Sequence, residues 1–484
     1  MPTPTATAGR ASHAHRDLTG YYDALASQWA ERKNRNYFDG IIRLCRFLVP
    51  QGSRVLEIGC ANGDLLAALN PAYGVGLDLS SRMVEVAQKR HPHLRFVRMD
   101  AHEIEPHPAL AEPFDYVILS DLVGDLYDVQ AAFQQLSKVC HSRTRVIVNF
   151  YNYIWEPVLK AVERLGLKTR QNLQNWLTHQ DLENLLDLSG FEVIRGGRRM
   201  PLPLHLPLVS EVVNRLVELV PLLRRLGLQQ YLVARPRPAG ERPRYSCSLV
   251  VPCRNERGNI ASVVERTPIM GTRTEIIFVE GNSTDGTLEE IRTVIARYRG
   301  HHQLKLIEQG EGRGKGDAVR KGFAAATGDV LLILDADLTV APEDLPRFFD
   351  AIESSTGEFI NGCRLVYPME KEAMRYLNLL GNKFFSKIFS WLLEQPIKDT
   401  LCGTKVLLRE DYERIAANRS YFGNFDPFGD FDLLFGAAKQ NLKIVEIPIR
   451  YRERSYGSTN ISRFRHGWLL LRMCLFATRK FKFF

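Results

Sequence analysis

The chain has 484 residues, enough for two or three domains that each bury a core. Its eight cysteines form no C-x-x-C pair, which argues against a disulfide framework or a zinc site. The first 15 residues lack the apolar core of a secretory signal, and no uncharged apolar stretch reaches the roughly 18 residues of a membrane span. We therefore expect a cytoplasmic protein.

The net charge of +9 is concentrated at the end of the chain. Residues 443–484 contain ten Lys or Arg against two Glu, interleaved with Trp, Leu and Phe. This basic amphipathic composition is typical of a segment that contacts a membrane surface or a lipid-linked phosphate. The alternative is a helix that packs its apolar side on its own domain. Peripheral attachment at the cytoplasmic face of a membrane is thus a second expected location, and no nucleic-acid partner is expected.

Short apolar strands alternate with helical patterns twice along the chain. Such alternation predicts parallel sheets flanked by helices, and so an α/β protein with two doubly wound domains. Thr178 and Asp181 have capping-box spacing at the start of one helix, and Gly190 is placed to end it. The expected boundaries are a disordered tail at 1–17, a first domain at 18–236, a Pro-rich linker at 237–244 and a second domain at 245–484.

The first core is a glycine turn after the strand Arg54 to Ile58. Gly59 and Gly63 allow close approach of a ligand, and the next strand ends in Asp78, an acid suited to ribose hydroxyls. The glycine spacing differs from the dinucleotide fingerprint, and Asn62 and Asp64 would oppose a diphosphate with bulk or negative charge. The turn therefore favours a cationic cofactor without phosphates.

The sequence around this turn resembles the class I S-adenosylmethionine-dependent methyltransferases. The resemblance is carried by 55–64, 76–80, 99–101 and 114–120 and covers about residues 18 to 236. It implies a Rossmann-like methyltransferase fold in which Gly59 and Gly63 border the methionine part of S-adenosylmethionine, and Tyr22 belongs to a leading segment that closes over it. The implied cofactor-binding residues are Tyr22, Glu57, Gly59, Gly63, Asp78, Asp100 and Ala101. Asp121 and Asp125 follow the fourth strand and are either acceptor-side residues or surface carboxylates.

The second core contains several polar loops that follow apolar strands. Pro252 and Glu256 follow one strand, and Glu280 and Asp285 follow the next. Lys315 supplies positive charge for a diphosphate. Asp335 and Asp337 come just after a buried strand at i and i+2, so both can point to one side. Hard oxygen ligands at that spacing favour Mg²⁺ or Mn²⁺ bridging a substrate diphosphate.

In this order the loops resemble the inverting family 2 glycosyltransferases, and 384–391 with 399–405 are similar to the dolichol-phosphate mannosyltransferase branch. The resemblance runs from about 245 to 470 and implies a GT-A-like nucleotide-sugar fold. Pro252, Glu256 and Glu280 would line the nucleoside pocket, and Asp335 and Asp337 would hold metal and diphosphate. Asp430 or Asp432 would supply the acid positioned for the acceptor.

The combined interpretation is a bifunctional transferase. It would move a methyl group from S-adenosylmethionine and a sugar from a nucleotide-diphosphate sugar to a glycan or lipid-phosphate acceptor. One alternative is a glycosyltransferase whose first domain binds S-adenosylmethionine only as a regulatory module. Another is a sensor of nucleotide sugars without catalysis.

Overall fold

The structure is a computed structural model in which the chain forms two compact units, Met1–Arg237 and Pro238–Phe483. The described residues are 18–29, 34–165, 174–200, 213–214, 217, 220, 223–238, 240, 243–312, 314–366, 376–419, 430–452, 456 and 463–483. The predicted disordered tail lies outside them. Each unit is an α/β sandwich around a seven-stranded sheet, so the predicted fold class of two doubly wound domains is confirmed.

The sheet of the first unit has the strand order β3-β2-β1-β4-β5-β7-β6. The strands are β1 (Arg54–Ile58), β2 (Tyr73–Asp78), β3 (Arg95–Arg98), β4 (Phe114–Ser120), β5 (Cys140–Tyr151), β6 (Phe191–Arg199) and β7 (Gln229–Pro236). All pairs are parallel except those of β7, which runs antiparallel to β5 and β6. The order changes direction between β1 and β4, and a crevice for ligands is expected there.

Helices cover the faces of this sheet. They are α1 (Arg35–Leu48), α2 (Asp64–Ala68), α3 (Ser81–Arg90), α4 (Val129–Gln135), α5 (Glu156–Arg164) and α6 (His179–Leu188). The predicted capping box is present, because Thr178 and Asp181 each accept the other's backbone N–H at the start of α6. Residues 18–25 are also helical and precede a 3₁₀ turn, Ala26–Gln28.

The sheet of the second unit has the order β10-β9-β8-β11-β13-β12-β14. The strands are β8 (Cys247–Cys253), β9 (Thr274–Glu280), β10 (Gln303–Glu308), β11 (Val330–Ile333), β12 (Phe359–Cys363), β13 (Lys405–Leu408) and β14 (Ile444–Pro448). Among the strands of the described residues, β13 alone runs antiparallel to its neighbours. The change of direction falls between β8 and β11, which have 0% exposure at Leu249 and Leu332.

The helices of the second unit differ in length and in how deeply they are packed. They are α7 (Ile260–Arg266), α8 (Thr287–Arg297), α9 (Lys315–Ala325), α10 (Leu345–Glu353), α11 (Tyr376–Leu393), α12 (Arg409–Ala417), α13 (Asp430–Lys439) and α14 (Arg463–Phe481). Within the described ranges, no helix combines the length and apolarity needed to cross a membrane. All eight cysteines are free, as their spacing predicted.

The C-terminal helix α14 packs on α11 and α13. Phe481 is fully buried and its ring centroid lies 5.7 Å from that of Phe435. Lys482 follows the helix and forms a buried ion pair with Glu394, with 2.6 Å between Nζ and Oε1. Its ammonium also lies 5.4 Å from the centre of the Trp391 ring. The alternative that this helix packs its apolar side on its own domain is therefore correct for one of its faces.

Replacing Lys482 by methionine should destabilise the second unit by about 3 kcal/mol, because Glu394 loses its buried cation. Calorimetry of the full chain should show the transition of this unit at a lower temperature, while the other transition stays in place. Lys482→Met combined with Glu394→Leu should recover most of the loss, since an apolar pair replaces the ion pair. Arg479→Met, at an exposed position one turn away, is the control and should change stability by less than about 0.5 kcal/mol. Equal shifts for Lys482→Met and Arg479→Met would contradict the assignment.

Candidate active sites

The glycine turn of the first unit joins β1 to α2 in an unusual backbone conformation. Gly59, Ala61 and Gly63 have φ values of +74°, +45° and +75°. A Cβ built on Gly63 would lie 2.5 Å from the Phe96 ring, so only glycine is accommodated there. Backbone that turns this tightly after a parallel strand can approach a ligand closely. The predicted positions of Gly59 and Gly63 are therefore at the sheet edge where a cofactor would bind.

Asp78 ends the neighbouring strand β2 and faces this turn. Its carboxylate accepts hydrogen bonds from the backbone N–H of Ala61 at 2.8 Å and of Ser80 at 2.9 Å. Burial raises the pKa of Asp78 to about 6, although these two backbone hydrogen bonds act in the opposite direction. The carboxylate is thus fixed in position and titrates close to neutral pH.

The helical segment 18–25 lies across the end of β2. Asp23 accepts a hydrogen bond from the Ser80 hydroxyl at 2.5 Å, and the Tyr22 hydroxyl donates to Asp125. Burial, followed by the charge of Asp125, raises the pKa of Tyr22 far above its ordinary value, with Asp78 contributing. Tyr22 therefore stays protonated and lies near both carboxylates, as a residue closing over a ligand would.

The remaining predicted residues of this site have different surroundings. Glu57 is only 3% exposed and accepts from the Leu66 backbone N–H at 3.1 Å, so it fixes the first turn of α2. Asp100 and Ala101 follow β3 and are partly exposed. Asp100 accepts from both the backbone N–H and the ring of His102. That ring stacks on Tyr127 with centroids 3.8 Å apart, a contact that the motif did not indicate.

A second polar cluster joins the residue after β4 to side chains of α1 and β5. Asp121 accepts from the Tyr37 hydroxyl and from the Asn149 side-chain amide, each at 3.0 Å. The rings of Tyr37 and Tyr151 stack with centroids 5.3 Å apart. Leu122, the next residue, packs over the glycine turn, because a Cβ on Gly59 would lie 2.8 Å from its Cδ1. The cluster therefore adjoins the turn.

In the second unit, the loops after β8 and β9 are bonded to each other. Asn255 accepts from the Thr284 backbone N–H at 2.9 Å. The backbone N–H of Glu256 donates to the Thr287 hydroxyl at 3.0 Å. The backbone N–H of Thr287 in turn donates to the Asp285 carboxylate, also at 3.0 Å. Glu280 is buried and accepts from Ser283 N–H at 2.6 Å. The predicted residues Glu256, Glu280 and Asp285 thus lie in one pair of bonded loops beside the partly exposed Pro252.

One residue from far along the chain, Tyr456, makes two further contacts with this loop pair. Tyr456, from the basic segment near the end of the chain, donates its hydroxyl to Asp285 at 3.3 Å. Its ring covers Gly258, where a Cβ would lie 2.8 Å from the ring. Partial burial acts to raise the pKa of Asp285, but hydrogen bonds from Thr287 and Arg257 lower it overall. The sequence indicated the segment that contains Tyr456 as a phosphate contact, but not this contact with Asp285, which lies 171 positions away.

Lys315 and Asp335 form the central ion pair of the second site, with 2.6 Å between Nζ and Oδ1. Lys315 begins α9, and Asp335 follows β11. Gly403 lies directly against the pair, so that a Cβ at this position would overlap both charged groups. Burial acts to raise the pKa of Asp335, but Lys315 and, more weakly, Lys405 and Arg364 hold that pKa below its ordinary value.

Asp337 is 6% exposed and accepts from the backbone N–H and hydroxyl of Thr339 at 3.1 and 2.8 Å. Among the residues that the structure describes, no group of three or more His, Cys, Asp or Glu is close enough to hold a metal by protein ligands only. Mg²⁺ is commonly held by one or two carboxylates together with substrate phosphates. The oxygen donors of Asp335 and Asp337 suit such an ion.

The segment that carries Gly403 is anchored by a buried pair. Arg364 donates to both carboxylate oxygens of Asp399, at 2.7 and 2.8 Å. Burial acts to raise the pKa of Asp399, but the charge and hydrogen bonds of Arg364 lower it to about 2. Asn382 of α11 adds a hydrogen bond at 3.1 Å. This network fixes the approach of 399–403 to the Lys315–Asp335 pair.

The structure describes the side chain of one of the two candidates for the acceptor-side carboxylate. Asp432 is 8% exposed and pairs with Arg419, with 2.8 Å between Nε and Oδ2. Asp430 begins α13, and its side chain lies outside the described part of the chain. The choice between them stays a prediction.

Two family models match the chain in separate regions. The model "Methyltransferase domain" matches residues 29–195, and "Glycosyl transferase family 2" matches residues 248–415. These ranges contain the glycine turn of the first unit and the Lys315–Asp335 pair of the second.

Curated relatives match somewhat less than half of the chain. A dolichyl-phosphate hexose transferase of Haloferax volcanii is 31% identical over 210 residues, which are 43% of this chain and 82% of that protein. A dolichol-phosphate mannosyltransferase of Pyrococcus furiosus is 28% identical over 219 residues, 44% of this chain and 58% of that protein. The chain thus spans little more than half the length of the latter relative.

Solved structures resemble parts of the chain. An S-adenosylmethionine-dependent methyltransferase from Mesorhizobium loti is 19% identical, with 40% of this chain and 96% of that chain covered and a TM-score of 0.32. A glucosyl-3-phosphoglycerate synthase from Mycobacterium tuberculosis, in complex with Mn²⁺ and uridine diphosphate, is 16% identical, with 49% and 80% covered and a TM-score of 0.36.

The family match, the coverage of the Haloferax relative and the two separate sheets lead to one conclusion. The chain belongs to glycosyl transferase family 2, and its residues 29–195, in front of the glycosyltransferase region, match the model of a methyltransferase domain.

Proposed function

We propose that the chain is a bifunctional transferase that methylates one acceptor and glycosylates another, the second being a lipid phosphate. The observation that carries the glycosyl half is the cluster of Lys315, Asp335 and Gly403 at the carboxyl edge of the second sheet. The observation that carries the methyl half is Asp78 fixed across the glycine turn. The names of the Haloferax and Pyrococcus relatives support a lipid-phosphate acceptor.

In the methyl half, S-adenosylmethionine supplies a methyl group on a positively charged sulfur. The glycine turn offers backbone groups to its methionine part, and Asp78 accepts from the ribose hydroxyls. Tyr22 stays protonated and closes the site, which limits the access of water. The carboxylates of Asp78 and Asp125 favour a cationic donor over a phosphate-bearing one.

In the glycosyl half, Mg²⁺ or Mn²⁺ would neutralise the diphosphate as it leaves. Asp335 and Asp337 would hold the ion, and Lys315 at the start of α9 would donate to a phosphate oxygen, where the helix N-terminus also favours an anion. The loop pair of Glu256 and Asp285 would hold the nucleoside.

Whether a carboxylate must act as a base depends on the group that attacks the sugar. A glycan hydroxyl needs a base within hydrogen-bond distance, whereas an ionised lipid phosphate attacks without one. We assign the base to Asp430 for a hydroxyl acceptor, since the Asp432 carboxylate is already engaged by the Arg419 guanidinium. Asp432 would then position α13.

We further propose that α14 rests on a membrane surface. Its exposed residues Trp468, Arg472, Leu475 and Arg479 follow a 4-3-4 spacing, which places them on one side of the helix. Trp468 and Leu475 are 64% and 61% exposed, while Leu470 and Met473 on the other side are buried. A stripe that alternates apolar and basic residues suits the boundary between anionic headgroups and acyl chains.

Acidification should weaken the binding of S-adenosylmethionine. The pKa of Asp78 is about 6, so lowering the pH from 7.5 to 5 decreases its ionised fraction from nearly one to about a tenth. If only the carboxylate binds ribose, the apparent Kd rises about ten-fold, as calorimetry can measure. Asp78→Asn should bind more weakly at pH 7.5 and lose this pH dependence. Glu112→Gln, an exposed carboxylate on the loop before β4, should keep it. A pH-independent Kd in the parent protein would contradict the role of Asp78.

Asp337→Asn should lower sugar transfer by about 100-fold or more, because one of two oxygen ligands loses its charge. The measurement is release of nucleotide from uridine and guanosine diphosphate sugars with Mg²⁺ or Mn²⁺, with dolichyl phosphate in detergent as acceptor. Calorimetric titration with Mn²⁺ in the presence of the released nucleotide should show a parallel loss of metal affinity. Asp350→Asn, on the exposed side of α10, should leave both values unchanged. Full activity and metal affinity in Asp337→Asn would exclude the proposed site.

Removing the exposed stripe should release the protein from membranes. Arg472→Gln with Arg479→Gln should lower binding to vesicles of phosphatidylglycerol and phosphatidylcholine about thirty-fold, since each basic residue contributes about 1 kcal/mol. Trp468→Ser with Leu475→Ser should also weaken vesicle binding, and the size of this loss should depend less steeply on the salt concentration. Ile269→Ser, 54% exposed elsewhere in this unit, is the matched control and should bind like the parent in sedimentation assays. Equal binding by all variants would show that α14 does not contact lipid.

A further inference from the structure

We infer that the first unit has a lipid-binding surface of its own and that this surface binds an anionic bilayer. The inference goes beyond the proposed function, which places only α14 of the second unit on a membrane. One part of the surface is an apolar rim of six exposed side chains, Tyr153, Ile154, Val158, Leu165, Leu223 and Leu226. The other part is a basic cluster of three side chains, Arg198, Arg224 and Arg225.

The apolar rim gathers exposed apolar side chains that are otherwise scattered. Of the fifteen large apolar side chains that are exposed among the described residues, seven lie within 153–165 and 220–226. Leu165 is 73% exposed and Val158 is 48% exposed. Single exposed apolar side chains are normal on a protein surface, whereas a contiguous group of them marks a site that binds an apolar partner or a membrane.

Helix α5, which carries Val158, is amphipathic and lies at the surface. None of its nine residues, all of which the structure describes, is buried. Val158, Leu159 and Val162 fall on one side of the helix by their spacing, and Lys160 and Arg164 fall on the other. A helix of this length is marginal in water by itself and gains most of its stability by covering its apolar side. A bilayer would complete that cover.

Hydrogen bonds join the turn after β5 to the turn before β7, so that both contribute to one surface. Asn152 donates its side-chain amide to the Arg225 carbonyl at 3.0 Å. Trp155 donates its indole N–H to the Leu226 carbonyl at 2.8 Å. The rim residues of the two turns are therefore held beside each other by the backbone and not by chance orientations of side chains.

The basic cluster forms where the second turn meets the end of β6. A Cβ built on Gly227 would lie 2.9 Å from the backbone nitrogen of Arg199, so the turn packs directly on that strand. Burial and then the charge of Arg225 lower the pKa of Arg198, and Arg224 acts in the same direction. Three guanidinium groups that repel one another favour an anion beside them, and lipid headgroups supply phosphates.

The surface lies at the same edge of the sheet as the donor crevice. β4, β5 and β6 run in one direction, so the ends of β5 and β6 lie at the carboxyl edge. Tyr151, which precedes the rim, stacks on Tyr37, and Tyr37 donates to Asp121 beside the glycine turn. A bilayer bound at this surface would therefore lie next to the crevice of the first unit.

Charge and apolarity together favour a bilayer as the occupant. An anionic bilayer offers phosphates to the basic cluster and acyl chains to the apolar rim at adjacent depths. A free phosphate would use the arginines only, and an uncharged apolar partner would use the rim only. The sequence of 201–222, between β6 and the second turn, contains twelve Leu or Val and two Glu, so its composition also suits a lipid surface.

The first test measures amide hydrogen exchange in the full chain with and without vesicles of phosphatidylglycerol and phosphatidylcholine. Exchange within 153–165 and 223–226 should slow at least about five-fold, because a bound bilayer excludes water there. Exchange in α6 is the internal control and should stay the same. The readout is local, so it does not depend on whether α14 binds. Unchanged exchange within 153–165, or equal slowing with phosphatidylcholine alone, would overturn the inference.

The second test removes the charge of the basic cluster. Arg224→Gln with Arg225→Gln should raise the lipid concentration for half-maximal slowing within 153–165 about thirty-fold, since two basic contacts with anionic lipid are lost. Arg82→Gln with Lys89→Gln, two exposed basic residues on α3, is the matched control and should need the same lipid concentration as the parent. Equal changes in the two pairs would show that only the net charge of the chain matters, against a specific surface.

The third test removes apolar side chains of the rim. Ile154→Ser with Leu226→Ser should raise the same lipid concentration at least about ten-fold, while thermal unfolding stays as in the parent because both side chains are exposed. Leu188→Ser, 65% exposed at the end of α6, is the control and should behave like the parent. Parent-like lipid dependence in the rim variant would overturn the role of the rim.

A second copy of the chain is the competing occupant of the rim. Sedimentation velocity without lipid distinguishes it, since a bilayer-binding rim leaves the association state independent of its side chains. The parent and Ile154→Ser with Leu226→Ser should therefore sediment alike. A parent dimer that this variant converts to a monomer would make the rim an interface between copies and would overturn the inference.

Discussion

Parallel pairing at one point of each sheet is the constraint on which both active sites depend. In the first unit β1 lies between β2 and β4, and in the second β8 lies between β9 and β11. The chain leaves these adjacent strands in opposite directions, so their following loops separate and leave a crevice. Gly59 and Asp121 flank the crevice of the first unit, and Asn255 and Asp335 follow the two strands that flank the second. Antiparallel pairing at these points would bring a carboxyl end against an amino end and leave no such edge.

Much of this arrangement could be predicted from sequence because its causes are local. The strands that end at Ile58 and Asp78 were predicted to the residue at those ends, since a run of apolar residues stops there. The capping box at Thr178 is formed within one turn of helix. The antiparallel strands β7 and β13 were not distinguished from parallel ones, because strand direction depends on the path of the chain between strands.

The site contacts that sequence missed join residues far apart in the chain. Tyr37 and Asp121 are separated by 84 positions, and Arg364 and Asp399 by 35. No spacing rule relates such pairs, and each residue type is common on protein surfaces. Glu57 shows the opposite difficulty: it belongs to the motif, yet its hydrogen bond to Leu66 N–H gives it a part in holding the turn. A motif identifies which residues are close to a site and does not separate those that touch a ligand from those that shape the backbone.

The two crevices share a geometry and differ in charge, which explains why one chain can hold both chemistries. Asp78, Asp121 and Asp125 place carboxylates beside the first crevice, which suits the sulfonium donor that we propose. In the second, Lys315, Lys405 and Arg364 act together on Asp335 and hold its pKa low, so the carboxylate remains charged despite its burial. A diphosphate with a divalent cation needs both signs of charge close together, because the anion binds lysine while the cation binds aspartate. Because the two sheets share one geometry while the residues that follow their strands differ in charge, we attribute specificity for the donor to the loops and not to the sheets.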